Sequence, residues 1–533
     1  MKNTLPTGNK KLPNIVLIVL DTHRYDRIST YGYHRQTTPN LDDFGRQATV
    51  FENGISPAQW TIPAHASMFT GEYPTTHQTI QAHYRLDSRF DVLATMLAAQ
   101  GYKTIGFCNN PLVGVLNNGL KRGFDTFYTY SGAFPSMPKS SNRLPVPLNQ
   151  IWEWYTQQLR KWSYPVQNAF AHSELLFKIS MSPLLVPLWA RYANFKGDTA
   201  KSLRNTQEFL QHTRKDKKSK PNFVFVNLME PHLPYTPPDP FVDRFAPYFK
   251  EDRQVRDFMR KYNYQAFRWF LPIEDRFKEM EARVLNDFYD AEVNYQDHLL
   301  AELLEYLSRD EVADNTLTII VGDHGEGLGE HDFIGHAFVA YEELLHVPLM
   351  VKFPRQLGLG KRVDTTVSTR RVFHTVLDAV GVQLFETEHH PASDVKPLSL
   401  ARALQGADPE QEVVFGECYA PNTFLSMMET HVPQLIETFH CKLNRRAVYQ
   451  GRHKLARIDG VQDELFNLAD DPAELDNLLE RQPERATKLA SKLDAFMVKA
   501  LARRPDNWEA NQIINLEEDE NLRNQLRALG YID

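Results

Sequence analysis

Cysteine is scarce: 533 residues contain three, Cys108, Cys418 and Cys441. They are odd in number, far apart and never in CxxC spacing, which excludes a disulfide framework and a cysteine-built zinc site. All three read as small buried hydrophobes. Positive charge is not in excess either. Sixty Lys and Arg stand against 67 Asp and Glu, a net charge of -7. No basic stripe with interleaved aromatics appears, so nucleic acid is not an expected partner. Long apolar runs are also missing. The run Ile15 to Leu20 is too short for a signal core or a membrane span and leads straight into Asp21. It reads as a buried first strand, and cytoplasmic is the default location. Hydrophobic residues at 42% and charged residues at 24% are ordinary for a globular chain.

The run Asn14 to Leu20 does not alternate between polar and apolar residues, which suits a central strand covered on both faces. A helical pattern at Leu86–Gln100 precedes a strand at Gly101–Phe107. Phe223–Leu228 is a further buried strand, Val284–Leu307 a long helix and Thr316–Val321 another strand. Leu349–Phe353 and a helix at Arg371–Val380 complete the alternation, which predicts an α/β fold with a mostly parallel central sheet flanked by helices. Polar clusters follow the strands, where open α/β sheets bind ligands, so Asp21, His232, Asp323 and His324 are expected to meet.

Two segments depart from this pattern. Residues from about 129 to 215 pass from a Pro/Ser-rich stretch into aromatic-rich helical sequence. They are expected to form a cap beside the pocket or a homo-oligomer surface, with membrane-surface contact a lesser alternative. From about Gln411, short strands at Glu412–Glu417, Arg446–Tyr449, Lys454–Ile458 and Glu464–Leu468 predict a small antiparallel sheet. A helix at Pro483–Ala500 and a tail that packs back on the body follow. The expected division is a catalytic domain over 1–400 and a C-terminal subdomain over 401–533.

Asp21 and Asp323 place carboxylates at two strand ends, and His324 adds an imidazole beside Asp323, the Asp-His pair being flanked by Gly322 and Gly325, which permit a tight turn and close approach of a ligand. Such a set suits a divalent cation. As a bare residue pattern, an aspartate at a strand end also serves as a helix cap. In Trp60-Thr-Ile-Pro-Ala-His65, Pro63 fits the first turn of a helix with Thr61 at or near its N-cap. Thr61 is then either a capping hydroxyl or a nucleophile at a helix start that favours anions.

The segments PNIVLIVLDTHRYD, WTIPAHASMFTGEYP, RGFDTFY, PHLPYTPP, GDHGEGLGEH, HAFVAYEELLHVPLMV and ELFNLADDPAELDNL occur in order along the chain. Together they resemble the sulfatase branch of the alkaline phosphatase superfamily over roughly residues 13 to 480. The resemblance implies that Asp21, Asp323 and His324 bind one divalent metal ion. Manganese is favoured, with magnesium, calcium and zinc as alternatives. It also places Thr61 at the nucleophile position of the C/S-x-P-x-R signature, with His65 in place of the arginine. Sulfatases oxidise Cys or Ser there to formylglycine, and threonine's extra methyl blocks that route. His232 and His336 match positions that contact the ester and are expected to act as acid–base groups. Asn109 and Asn110 stand near the place of a Lys-x-His pair and are substrate-binding candidates together with His65 and Arg24. For Arg24 an ion pair with Asp26 is the alternative.

The implied activity is metal-dependent hydrolysis of a small anionic phosphate-type ester through a covalent threonine intermediate. A phosphodiester or a phosphonate monoester is favoured as substrate. The alternatives are a sulfatase without formylglycine and a phospho-group transferase.

Overall fold

The computed structural model describes residues 12–131 and 196–508, apart from 217, 266–269, 275, 358–359, 383–395 and 407. The expected aromatic insertion lies largely outside the described residues, as does the tail from 509. From the insertion's end, the helix Thr199–Lys215 is described.

Strand β1 (Asn14–Leu20) is the first of an eight-stranded mixed sheet. The other members are β2 (Thr49–Ile55), β3 (Lys103–Cys108), β4 (Thr126–Thr129), β5 (Asn222–Leu228) and β6 (Thr316–Gly322). After a short ribbon of β7 (Gly327–Leu328) and β8 (Ile334–Gly335) come β9 (His346–Lys352) and β10 (Lys361–Ser368). The sheet order is β10-β2-β9-β6-β1-β5-β3-β4. The unbroken apolar character of β1 follows from its two-sided burial. Ile15, Leu17 and Val19 enter one core with the helices Thr61–Thr70, Leu93–Ala99 and Arg371–Val380. Val16, Ile18 and Leu20 enter the other with Thr199–Lys215 and the long helix Glu279–Ser308. Strand side chains alternate faces, so each core receives every second residue.

Two expectations need correction. Leu349–Phe353 was expected to continue the strand–helix alternation, yet β9 runs antiparallel to both β2 and β6. The chain between β6 and β9 offers only short helical turns, so it returns from the end of the sheet at which it left. The helix expected at Leu86–Gln100 is confined to Leu93–Ala99. Upstream, Leu86 N donates to Asn118 O, and the Asp87 carboxylate accepts from Arg89 N. Such local side-chain bonds compete with helix formation.

Strands β11 (Val413–Cys418), β12 (Arg445–Gln450), β13 (His453–Ile458) and β14 (Gln462–Asn467) form the separate antiparallel sheet expected near the C-terminus. The helix Pro483–Ala502 covers it through Ala486, Leu489 and Leu493. No helix among the described residues is long and apolar enough to cross a membrane.

Glu342, just before β9, joins the two sheets. Its carboxylate accepts from Tyr449 Oη at 2.7 Å, Lys454 Nζ at 3.3 Å and His346 Nδ1 at 3.0 Å. Burial alone would push the group up, but Lys454, His346 and Tyr449 outweigh it and hold it down to about 2. A carboxylate held low stabilises the fold above its ordinary value of 4.5, and that contribution disappears as pH falls toward 2. The difference in Tm between the native chain and Glu342→Gln is therefore expected to shrink across this interval in calorimetric scans. A difference that stays constant with pH would assign the effect to packing instead of charge.

Candidate active site

The carboxyl ends of β1, β3, β5 and β6 lie side by side in the sheet, and this adjacency assembles the site. Asp21 follows β1, Asp323 and His324 follow β6, Asn109 and Asn110 follow β3, and His232 lies just beyond β5. Asp21, Asp323 and His324 are each fully buried. Each offers one ligand atom, and these atoms lie within 4.8 Å of one another.

Backbone and amide groups aim the two carboxylates. Asp21 Oδ2 accepts from Asn110 Nδ2 at 2.5 Å. Asp323 Oδ1 accepts from Thr22 N at 3.2 Å and His324 N at 2.9 Å. Thr22 reaches this position with a left-handed φ of 55°, and Tyr289 Oη donates to its carbonyl at 2.6 Å. The opposite oxygens, Asp21 Oδ1 and Asp323 Oδ2, are buried without a hydrogen-bond partner. Burial pushes the Asp21 carboxyl up to about 7 against hydrogen bonds from Asn110 and Asn227. Burial together with the neighbouring Asp21 drives Asp323 well above the carboxylate range. Two costly, unpaired oxygens that converge beside an imidazole nitrogen fit a divalent cation, which would satisfy both.

His324 Nδ1 lies 2.8 Å from Gly325 O, so it must carry the donating proton, and Nε2 presents its lone pair. That nitrogen is 3.2 Å from Thr61 Oγ1 and 3.5 Å from Asp323 Oδ2. Thr61 opens the helix Thr61–Thr70 as its first helical residue, one place inside the cap at Trp60. Gly325 permits the turn after His324 because a Cβ there would fall 1.9 Å from Glu343 O. Gly322, the other glycine flanking the Asp-His pair, is likewise held against protein, since a Cβ there would lie 2.8 Å from Val347 Cβ.

His336 and His232 stand nearby, with their rings 5.1 Å apart, and the His336 ring is 4.5 Å from that of His324. Their partners differ. His336 Nδ1 meets Glu326 Oε1 at 2.8 Å, whereas His232 Nδ1 donates to Leu233 O at 2.7 Å. Burial lowers His232 to about 4 and His336 to about 3, and it raises Glu326 to about 8. Glu326 was not singled out from the sequence. Its place two residues beyond His324 in GDHGE was the only available signal.

The four substrate-binding candidates, Arg24, Asn109, Asn110 and His65, all bond to other groups of the protein. The Arg24 guanidinium binds Asp26, Glu330 and the carbonyl of Glu326, a buried form of the ion-pair alternative. Asn109 Nδ2 donates to Thr199 Oγ1 and Ser202 Oγ, so its amide faces the helix Thr199–Lys215. Asn110 contacts Asp21 and caps the turn at Leu112. His65 lies behind Thr61: Nδ1 donates to Thr61 O at 2.9 Å, and Nε2 is 3.5 Å from Asn227 Nδ2. Burial lowers His65 to about 4, so it does not reproduce the charge of an arginine. A second group of potential ligands, His331, Glu343 and Glu474, has Lys454 Nζ 2.8 Å from Glu474 and is already supplied with a cation.

The family model described as Sulfatase matches residues 13–382. An ulvan-active sulfatase of Formosa agariphila is 22% identical over 511 residues, covering 93% of this chain and 83% of that protein. An arylsulfatase of Clostridium perfringens is 22% identical over 390 residues, covering 70% and 76% respectively. A solved structure of a phosphonate monoester hydrolase from Agrobacterium radiobacter shares the fold. Its TM-score is 0.61 at 20% identity, covering 92% of this chain and 96% of that one.

Manganese at about 100 times its Kd is expected to stabilise the folded chain by about 2.7 kcal/mol. The same addition should leave Asp323→Asn nearly unmoved in thermal scans. An undiminished gain in that variant would place the cation elsewhere.

Proposed function

Because the chain belongs to the sulfatase family, we propose that it is a metal-assisted ester hydrolase whose nucleophile is Thr61 and whose substrates carry one negative charge on the transferred group. Phosphodiesters and phosphonate monoesters are the preferred class. The observation that carries this reading is the 3.2 Å approach of Thr61 Oγ1 to His324 Nε2, inside the cluster formed with Asp21 and Asp323.

Charge supports the substrate class. Among the described residues, no arginine or lysine bonds to Thr61, Asp21, Asp323 or His324. Burial keeps His65, His232 and His336 neutral around neutral pH. A dianionic phosphate monoester would meet too little positive charge here, whereas a monoanion is matched. Thr61 also supports transfer to an unmodified hydroxyl, since its methyl-bearing Cβ is closed to aldehyde formation. Mixed oxygen and nitrogen donors favour manganese over magnesium and calcium, which prefer all-oxygen shells, with zinc the other ion such a set accepts.

A divalent cation bound by Asp21, Asp323 and His324 supplies a lowered pKa for the Thr61 alcohol and offsets charge on the transferred group. The Thr61 oxygen, as alkoxide, forms a bond to phosphorus while the bond to the leaving oxygen breaks. His336 delivers the proton to that oxygen from Nε2 while its Nδ1 takes the proton that burial holds on Glu326, 2.8 Å away, so the acid is neutral before the step and Glu326 is a carboxylate after it. His232 faces a carbonyl, is neutral and presents Nε2 as an acceptor, which suits it to take a proton from the attacking water. The water oxygen then bonds to phosphorus, the Thr61 oxygen departs as alkoxide, and the proton on His232 passes to Nε2 of the neighbouring His336 as His336 Nδ1 returns its own proton to Glu326.

Thr61→Ala is expected to lower turnover of an aryl phosphodiester by about 10³-fold or more. Mass spectrometry of the quenched native enzyme should find the phosphoryl group, still bearing its second ester, on the peptide containing Thr61. Undiminished turnover would remove Thr61 from the chemistry. Family membership favours one second reading, a sulfatase that works without formylglycine. Faster cleavage of an aryl sulfate than of the matched diester or phosphonate would establish it in place of the first.

A further inference from the structure

The loop carrying His232 is held at both ends by one buried ion pair that neither binds the cluster of Asp21, Asp323 and His324 nor touches Thr61. Lys196 Nζ lies 2.6 Å from Glu292 Oε1 and donates to Glu230 O at 2.6 Å. The same Glu292 oxygen accepts the Thr236 N–H at 2.6 Å. Lys196 therefore fastens the residue two places before His232, and Glu292 fastens the residue four places after it. Glu292 projects from the helix Glu279–Ser308, and Gln296, one turn further on, donates to the Glu230 carboxylate at 3.3 Å. Next to Lys196, a Cβ on Gly197 would lie 2.6 Å from Asn109 Oδ1, so the segment is seated closely against the loop after β3. The Glu292 and Lys196 side chains are 2% and 16% exposed, so the pair is shielded from the solvent that weakens surface ion pairs.

We propose that Lys196 and Glu292 are positioning residues for His232 and set the rate at which water breaks down the phospho-threonine. The proposal rests on the reading of Thr61 as nucleophile and His232 as base. In the step concerned, the water oxygen bonds to phosphorus and its proton passes to His232 Nε2. The Thr61 oxygen–phosphorus bond breaks, and its electron pair stays on the threonine oxygen. Formation of the intermediate does not use His232. Loosening the Glu230–Thr236 loop therefore slows the second half of the reaction and spares the first. Small misplacements of a catalytic group cost up to about 10²-fold in rate.

The test is stopped-flow release of nitrophenol from an aryl phosphodiester, paired with intact-mass measurement of phosphorylated enzyme during turnover. Lys196→Met and Glu292→Gln are expected to lower steady-state turnover by about tenfold, the burst rate staying within about twofold. Both should accumulate protein phosphorylated at Thr61. Lys196→Arg should restore turnover toward the native value, and the double variant should be no slower than either single variant. His232→Ala should accumulate the same species more strongly. Accumulation in His232→Ala without any in the pair variants would overturn the proposal and leave the assignment of His232 intact. Absence of phospho-Thr61 in every variant would instead overturn the underlying reading. Burst and turnover falling together in the pair variants would also overturn the proposal, since a general loss of structure slows both; thermal scans identify that case.

Discussion

Two carboxylates buried at adjacent strand ends, each with one oxygen satisfied and one left bare, are the constraint around which the site is arranged. Burial raises the proton affinity of both Asp21 and Asp323, and the neighbouring Asp21 raises that of Asp323 further. Such an arrangement is tolerable only if a cation or protons offset the charge. The surrounding structure keeps the bare oxygens converged. Asn110 restrains one carboxylate, and the left-handed Thr22 together with the His324 backbone restrains the other. Tyr289 braces Thr22 from the long helix Glu279–Ser308. Moderate strain at one residue thus stabilises an electrostatic arrangement that the backbone alone would not select.

That helix serves several loops at once. Tyr289 contacts the loop after β1, Glu292 and Gln296 contact the loop after β5, and Asp297 accepts the backbone N–H groups of Asn40 and Leu41. Its leucines Leu300, Leu303, Leu304 and Leu307 meanwhile fill one of the two main cores. Its N-terminal part also packs, through Val284, Leu285 and Phe288, into a second apolar cluster, so the polar contacts from Tyr289 to Asp297 come from the middle of the helix, between two apolar stretches.

Much of this was legible in the sequence, for identifiable reasons. The unbroken apolar runs at β1, β5 and β6 marked two-sided burial, and the polar residues after them marked the ligand-binding edge. Asp21, Asp323, His324 and Thr61 could be singled out because each stands at a strand or helix end, but as bare positions Asp21 and Thr61 fit capping equally well, and the metal-ligand and nucleophile roles rested on the family resemblance. Strand direction was not legible: periodicity reports burial, and β9 has the same apolar pattern whichever way it runs. Side-chain targets were equally hidden. Asn109 and Asn110 are adjacent and chemically identical, yet one faces the helix Thr199–Lys215 and the other faces Asp21. Glu326 lies within GDHGE, yet its partner, like those of Lys196 and Glu292, could not be read locally, because all three are paired only when separate segments pack together.

The antiparallel return of β9 affects how the site is inherited as a unit. A single excursion of the chain between β6 and β9 contains Asp323, His324, Glu326 and His336, then reaches the small sheet through Glu342. Gly325 lies so close to the Glu343 carbonyl that the outgoing and returning limbs cannot slide independently. The excursion is therefore mechanically one piece, anchored in both sheets. Exchange between relatives would have to move it as an intact cassette together with its docking surface on β12 and β13, since a fragment ending before Glu342 would bring the ligands without the brace that keeps them in register.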